Sequence, residues 1–196
     1  MRNLNIFIFT FFIVSSCEIV EGPYQNEIIS NGSSETVLQK ILIEDFTGHT
    51  CMNCPDAATE LESIKELYPN QVIGIALHVG NTFARPLPPN SSNKYLTDFR
   101  TKWGEEIDNY FEVSSVGLPK GMINRKDEEP KSKDDWGNVV SEIINNSPSF
   151  DIDISASPFV FGDCDIEVIV KALENIDGEY NIVIAITEDS IVDWQK

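Results

Sequence analysis

The pair Cys51-Met52-Asn53-Cys54 constrains this chain more than any other feature, because of where it stands. Ahead of it, residues 36–46 (TVLQKILIEDF) are rich in Val, Ile and Leu and run up to Gly48, the pattern of a buried strand. Behind it, residues 55–68 carry Ala58, Leu61, Ile64 and Leu67 at helical spacing until Pro69-Asn70 stops them. Residues 71–79 (QVIGIALHV) read as a second buried strand. Strand, helix, strand makes a βαβ unit, in which the two strands lie parallel.

That placement gives the cysteines a chemistry. Unpaired N–H groups at a helix start stabilise an anion, and a thiolate is the form of cysteine that attacks a disulfide. Cys51 is therefore the expected nucleophile, exposed and low in pKa. Cys54, one turn on and less exposed, is the expected resolving thiol that releases a mixed disulfide. Pro55 suits the first turn, where its missing N–H is not needed. A lone Cys-x-x-Cys is also half of a zinc site, which needs about four ligands. Only His49, His78 and Cys164 are left to complete one, and there is no second such pair.

Beyond the unit, residues 80–92 hold Pro86, Pro88 and Pro89 and read as a loop. Residues 95–111 carry Leu96, Phe99, Trp103, Ile107, Tyr110 and Phe111 as a helical apolar face. Residues 121–124 read as a strand after Pro119, and 136–144 as a short helix. The pattern changes at Pro148: 150–154 alternates, and 165–173 and 180–187 (YNIVIAIT) read as strands with no helix between them. Three strands are few for an independent sandwich, which has about seven. The expected fold is α/β over residues 36–147, followed by a short β-rich segment over 148–196.

Charge narrows the partners. With 32 Asp and Glu against 14 Lys and Arg, the net charge is −18, which disfavours phosphate backbones and excludes nucleic acid as an expected partner. The four cysteines are too unevenly spaced for a disulfide framework.

The first residues read as an address. Arg2 precedes an apolar run over 4–14, shorter than the ~20 residues of a membrane-spanning helix but suited to a secretory signal. Val14-Ser15-Ser16-Cys17 resembles the lipobox of bacterial lipoproteins, which implies cleavage after residue 16 and lipid on Cys17. An ordinary signal peptide is the alternative. Residues 17–35 then form a polar tether with Gly22, Pro23 and Gly32, and lipid on Cys17 would hold the protein at a membrane in the cell envelope. Disulfides persist in that compartment.

The segment Asp45-Phe46-Thr47-Gly48-His49-Thr50-Cys51-Met52-Asn53-Cys54 resembles the active-site segment of thioredoxins. The resemblance implies that Asp45, six residues before the first cysteine, handles the resolving cysteine's proton. It also implies that Pro119, in Val116-Gly117-Leu118-Pro119, follows a cis peptide beside the dithiol and presents a backbone edge to substrates. Thr50 replaces the usual aromatic residue and Met52-Asn53 the usual Gly-Pro, which leaves the direction of reaction open. Across nearly the whole chain, the lipobox, Ile43 to Gly48, Cys51 to Pro55, Gly117-Leu118-Pro119, Asn124-Arg125, the Trp136 helix and Thr187-Glu188-Asp189 are together similar to the outer membrane protein 28-related lipoproteins of Bacteroidetes. Members join a thioredoxin-like domain to a β-rich domain that continues past the point matching Gln195, so the C-terminal segment is expected to be incomplete. The resemblance implies an outer-membrane location, and the dithiol reading expects protein thiols or disulfides as partners and no cofactor. Two functions follow: an envelope thiol–disulfide oxidoreductase, or a surface lipoprotein using the fold as a structural or ligand-binding module with a static disulfide.

Overall fold

In the computed structural model the described residues are 37–89, 93–158 and 162–196. The expected signal peptide and tether, with Cys17, lie outside them. The chain is a mixed α/β structure with two sheets and three α-helices among the described residues.

The first sheet has the order β2-β1-β3, with β1 Ile41–Thr47 at its centre. The sequence pattern holds here: β1 pairs in parallel with β2 (Val72–His78), and α1 (Cys54–Leu67) connects them. β3 (Lys120–Ile123) lies antiparallel on the other side, with Asp45 opposite Gly121 and Phe46 opposite Lys120. Alternation along β1 sorts its side chains. Ile41 and Ile43 join Ala57, Leu61 and Ile64 of α1 and Trp136, Val140 and Ile143 of α3 (Lys133–Ile143) in one core. Phe46 joins Leu77, Val79, Met122 and Ile107 of α2 (Lys102–Phe111) in the other. Each wholly buried aliphatic or aromatic side chain contributes roughly 1.5–3 kcal/mol, so these clusters hold the sheet between its helices. The buried stripe of α1 runs through Cys54, Ala57, Leu61 and Ile64, while Ala58 and Leu67 face outward.

One glycine is required by packing. A Cβ on Gly121 would stand 2.4 Å from the Trp136 ring, so the wholly buried indole rests directly on the β3 backbone. Its Nε1–H donates to the Lys131 carbonyl at 3.2 Å.

Two sequence expectations are corrected. The helix expected over 95–111 begins only at Lys102, because Thr101 is extended and its hydroxyl caps the Gly104 N–H at 3.0 Å. Upstream, Arg100 folds back to donate to Asp98, and the apolar residues of that stretch serve another purpose, described below. The strand expected over 180–187 is not formed. The second sheet is the antiparallel hairpin of β4 (Phe150–Ala156) and β5 (Ile166–Ala172), and neither edge of it pairs with that stretch. The Tyr180 ring lies 5.2 Å from that of Phe150 in the hairpin, and Ile182, Val183, Ile184 and Ile186 are exposed. A strand needs a ladder partner for its N–H and C=O groups, and hydrophobic pattern alone supplies none.

Candidate redox site

The site forms where β1 ends. Gly48 leaves the strand against the backbone of Phe83 and Ala84, and a Cβ there would lie 2.5 Å from the Phe83 carbonyl carbon. The same Phe83 carbonyl accepts from the Thr50 N–H at 3.0 Å and from the Thr50 hydroxyl at 2.9 Å. The Cys51 N–H turns back to the Gly48 carbonyl at 3.0 Å. The 48–51 loop is thus clamped from two sides before the helix starts.

Cys51 and Cys54 are joined by a disulfide, with Cα atoms 5.5 Å apart. Helix α1 starts at Cys54, with Asn53 as its N-cap and Pro55 next, so Cys51 lies in the turn before the helix and not in its first turn. Nor is Cys51 the exposed partner: each cysteine is 2% exposed. The two sulfurs are closed on each other as a disulfide on a loop clamped to Phe83, and the same loop takes contacts from far along the chain. Gln195 Nε2 donates to the carbonyls of Gly48 (3.2 Å) and Cys51 (3.1 Å), and the Lys196 N–H donates to that of His49 (3.0 Å).

Asp45 is 2% exposed, and strand alternation puts it on the same face of β1 as Ile41 and Ile43, the side against which α1 packs. Its Oδ1 has no hydrogen-bond partner among the described residues. Burial pushes its carboxyl up from 3.8 to about 7. Next to it, Glu44 is 1% exposed on the opposite face but accepts from Arg125 Nε at 2.7 Å and from the Arg125 Nη2 at 2.5 Å. Both carboxylates, though near the end of the strand, are buried.

His49 is 1% exposed, and neither ring nitrogen has a partner among the described residues. It stacks near-parallel on Tyr95 (5.9 Å) and meets Phe99 edge-on (5.9 Å), which is where the apolar residues of 95–101 go instead of joining a helix. Its pKa is lowered by burial, against the pull of Asp193 and Asp98, so it does not supply the positive charge beside Cys51 that a protonated ring would. His78, 6.3 Å from His49, is driven down to about 4 by burial and then by that neighbour.

The Leu118–Pro119 peptide is cis. Continuing the β1–β3 register beyond Phe46 and Lys120 sets Pro119 opposite Thr47, at the end of β1 that leads into the cysteine loop. Cys164 is a free, half-buried thiol distant in sequence, its Sγ 3.1 Å from the Ser157 carbonyl. Among the described residues no group of three or more His, Cys, Asp or Glu is placed to hold a metal ion, and no helix is long and apolar enough to cross a membrane. Residues 193–196 were not legible as part of the site, since they carry no motif and lie far along the chain.

No family model matches the chain, and no curated protein matches it. Among solved structures, the crystal structure of a structural-genomics protein from Agrobacterium tumefaciens is similar at 14% identity and a TM-score of 0.40. The match covers 67% of this chain and 57% of that one, so the chain spans less than two thirds of that protein's length. A likeness of that size transfers neither fold nor activity.

Proposed function

We propose that this chain is a thiol–disulfide oxidoreductase of the cell envelope, built on a thioredoxin-like domain over 36–147 and held at a membrane, the outer one, by lipid on Cys17. It is read as one of the outer membrane protein 28-related lipoproteins, with residues 148–196 as the beginning of their β-rich domain. The observation that carries the redox reading is the Cys51–Cys54 disulfide between β1 and α1, with Asp45 buried on the α1 side of β1 and its Oδ1 without a partner among the described residues. The cis peptide before Pro119, at the same end of β1, supports it.

In the reducing direction, the Cys51 thiolate attacks one sulfur of a substrate disulfide and expels the other as a thiolate. Cys54, deprotonated by Asp45, then attacks Cys51 Sγ, which frees the second substrate thiol and forms the Cys51–Cys54 disulfide. Two electrons pass to the substrate, and the reverse sequence oxidises it. A carboxyl with a pKa of about 7 can take and return that proton near neutrality. Pro119 and the backbone of Leu118 offer the edge along which a substrate strand lies.

The second reading, a static disulfide in a structural or ligand-binding lipoprotein, draws on the burial of both cysteines. Alkylation followed by mass spectrometry across a glutathione redox series decides between them. The redox reading expects a potential between about −120 and −270 mV, and a value below about −300 mV would overturn it in favour of the static disulfide.

A further inference from the structure

The row of backbone carbonyls at Gly48, His49 and Cys51 accepts three hydrogen bonds from residues 195 and 196, which are among the most distant in the chain. Two further contacts hold that segment. The Thr97 hydroxyl donates to Asp193 Oδ2 at 2.5 Å, and the Lys94 ammonium lies 3.9 Å from the centre of the Trp194 ring. Both anchors belong to the 94–99 stretch, whose Tyr95 and Phe99 cover His49. The segment has no regular secondary structure, and Val192 (97%) and Trp194 (51%) are largely exposed, so it lies on the surface and is not part of either core.

We infer that this carbonyl row is a docking surface for an extended polypeptide segment, and that residues 193–196 occupy it as an internal competitor guarding the disulfide. The chemistry of the surface specifies its occupant. Three acceptors side by side call for a run of N–H donors, which an extended chain supplies through its backbone, as Lys196 does, and through an amide side chain, as Gln195 does. His49, whose carbonyl takes the Lys196 N–H, carries two buried ring nitrogens with no partner among the described residues, and a buried unsatisfied polar group is destabilising. Release uncovers the 48–51 loop and lets a polypeptide thiol or disulfide approach Cys51. That guarding role rests on the redox reading; occupation of the surface does not.

The test uses the full chain with Asp193→Ala and Gln195→Ala combined, both at exposed positions. Two rates are read against the unaltered protein: carbethoxylation of His49 by diethyl pyrocarbonate, followed by mass spectrometry, and reduction of Cys51–Cys54 by dithiothreitol. Both should rise about tenfold, the change that about 1.4 kcal/mol of lost closure produces. A synthetic peptide of residues 189–196, added at the millimolar level that a tethered segment reaches, should restore protection. Unchanged rates in the variant overturn the inference, and so does a failure of the peptide to slow them. An increase confined to His49, with reduction unaltered, overturns the guarding role. The redox reading fails separately, through a potential below about −300 mV, whatever these rates show.

Discussion

Glu44 and Asp45 are neighbours on β1, are both almost wholly buried, and leave the strand on opposite faces. On the α2 side, Glu44 is gripped by two donors of Arg125, whose guanidinium in turn lies 5.6 Å from the ring centres of Trp103 and Phe111. On the α1 side, Asp45 has one oxygen without a partner among the described residues and is pushed towards its neutral form. A protein that needed only stability would treat the two positions alike. A paired buried carboxylate is held in place by its donors, whereas an unpaired one is free to exchange a proton. On the proposed redox reading, the contrast assigns Glu44 to architecture and Asp45, at the end of β1 that leads into the disulfide loop, to proton transfer.

The largest expected effect breaks the α2 side of this contrast. Arg125→Met leaves Glu44 buried without a partner and should cost about 3–5 kcal/mol in urea unfolding at neutral pH. Adding Glu44→Gln to the same chain should recover much of that loss, because the stranded charge is gone. A single-variant cost under about 1 kcal/mol would mean that water reaches Glu44, and the two faces would no longer differ.

Asp45 gives the next effect, with a sign of its own. Its carboxyl titrates at about 7 in the folded chain against 3.8 ordinarily, so the folded state keeps a proton that the unfolded state has released. Its contribution is fully present below about pH 4 and is lost as pH rises towards 7. At about 1.4 kcal/mol per pH unit, the loss between about pH 5 and pH 7 is about 2–3 kcal/mol. His49 and His78, both lowered, work in the opposite direction, so the quantity to read is the difference between the protein and its Asp45→Asn variant. Asp45→Asn should lack the downward slope. Parallel stability–pH curves would show that Asp45 is solvated and would remove it as a proton carrier.

How much of this the sequence carried depends on the range of the interactions involved. The βαβ unit was legible because hydrophobic period and the Pro69-Asn70 stop are local signals. Asp45 was legible only as a position six residues before Cys51, since its burial depends on α1 packing over β1. The contact on the Cys51 carbonyl was not legible at all, because its donor is Gln195, 144 residues away. The 95–101 stretch misled for a related reason: Tyr95 and Phe99 have helical spacing but pack on His49. Tyr180 to Thr187 has the composition of a strand, yet pairing is a property of a partner that a single segment does not encode.

The smallest effect asks whether the α2 side satisfies its buried carboxylates as a rule. Asp108 on α2 is 4% exposed, and it accepts from both the N–H and the hydroxyl of Ser114, each at 2.6 Å. The Ser114 hydroxyl also lies where a Cβ on Gly80 would come within 3.0 Å, and the Gly80 N–H donates to Glu105 at 2.9 Å. The turn after β2 is therefore tied to α2 through acceptors that already have their donors. Ser114→Ala removes one of the two bonds to Asp108 and leaves the backbone N–H in place, so the loss should be about 1 kcal/mol by urea unfolding. Because the second donor persists, Asp108 is not stranded as Glu44 would be without Arg125, and the cost stays well below that of Arg125→Met. If Ser114→Ala instead cost as much as Arg125→Met, Asp108 would be held by a single bond. The α2 face would then carry a weakly partnered carboxylate of its own, and Asp45 would lose its distinction.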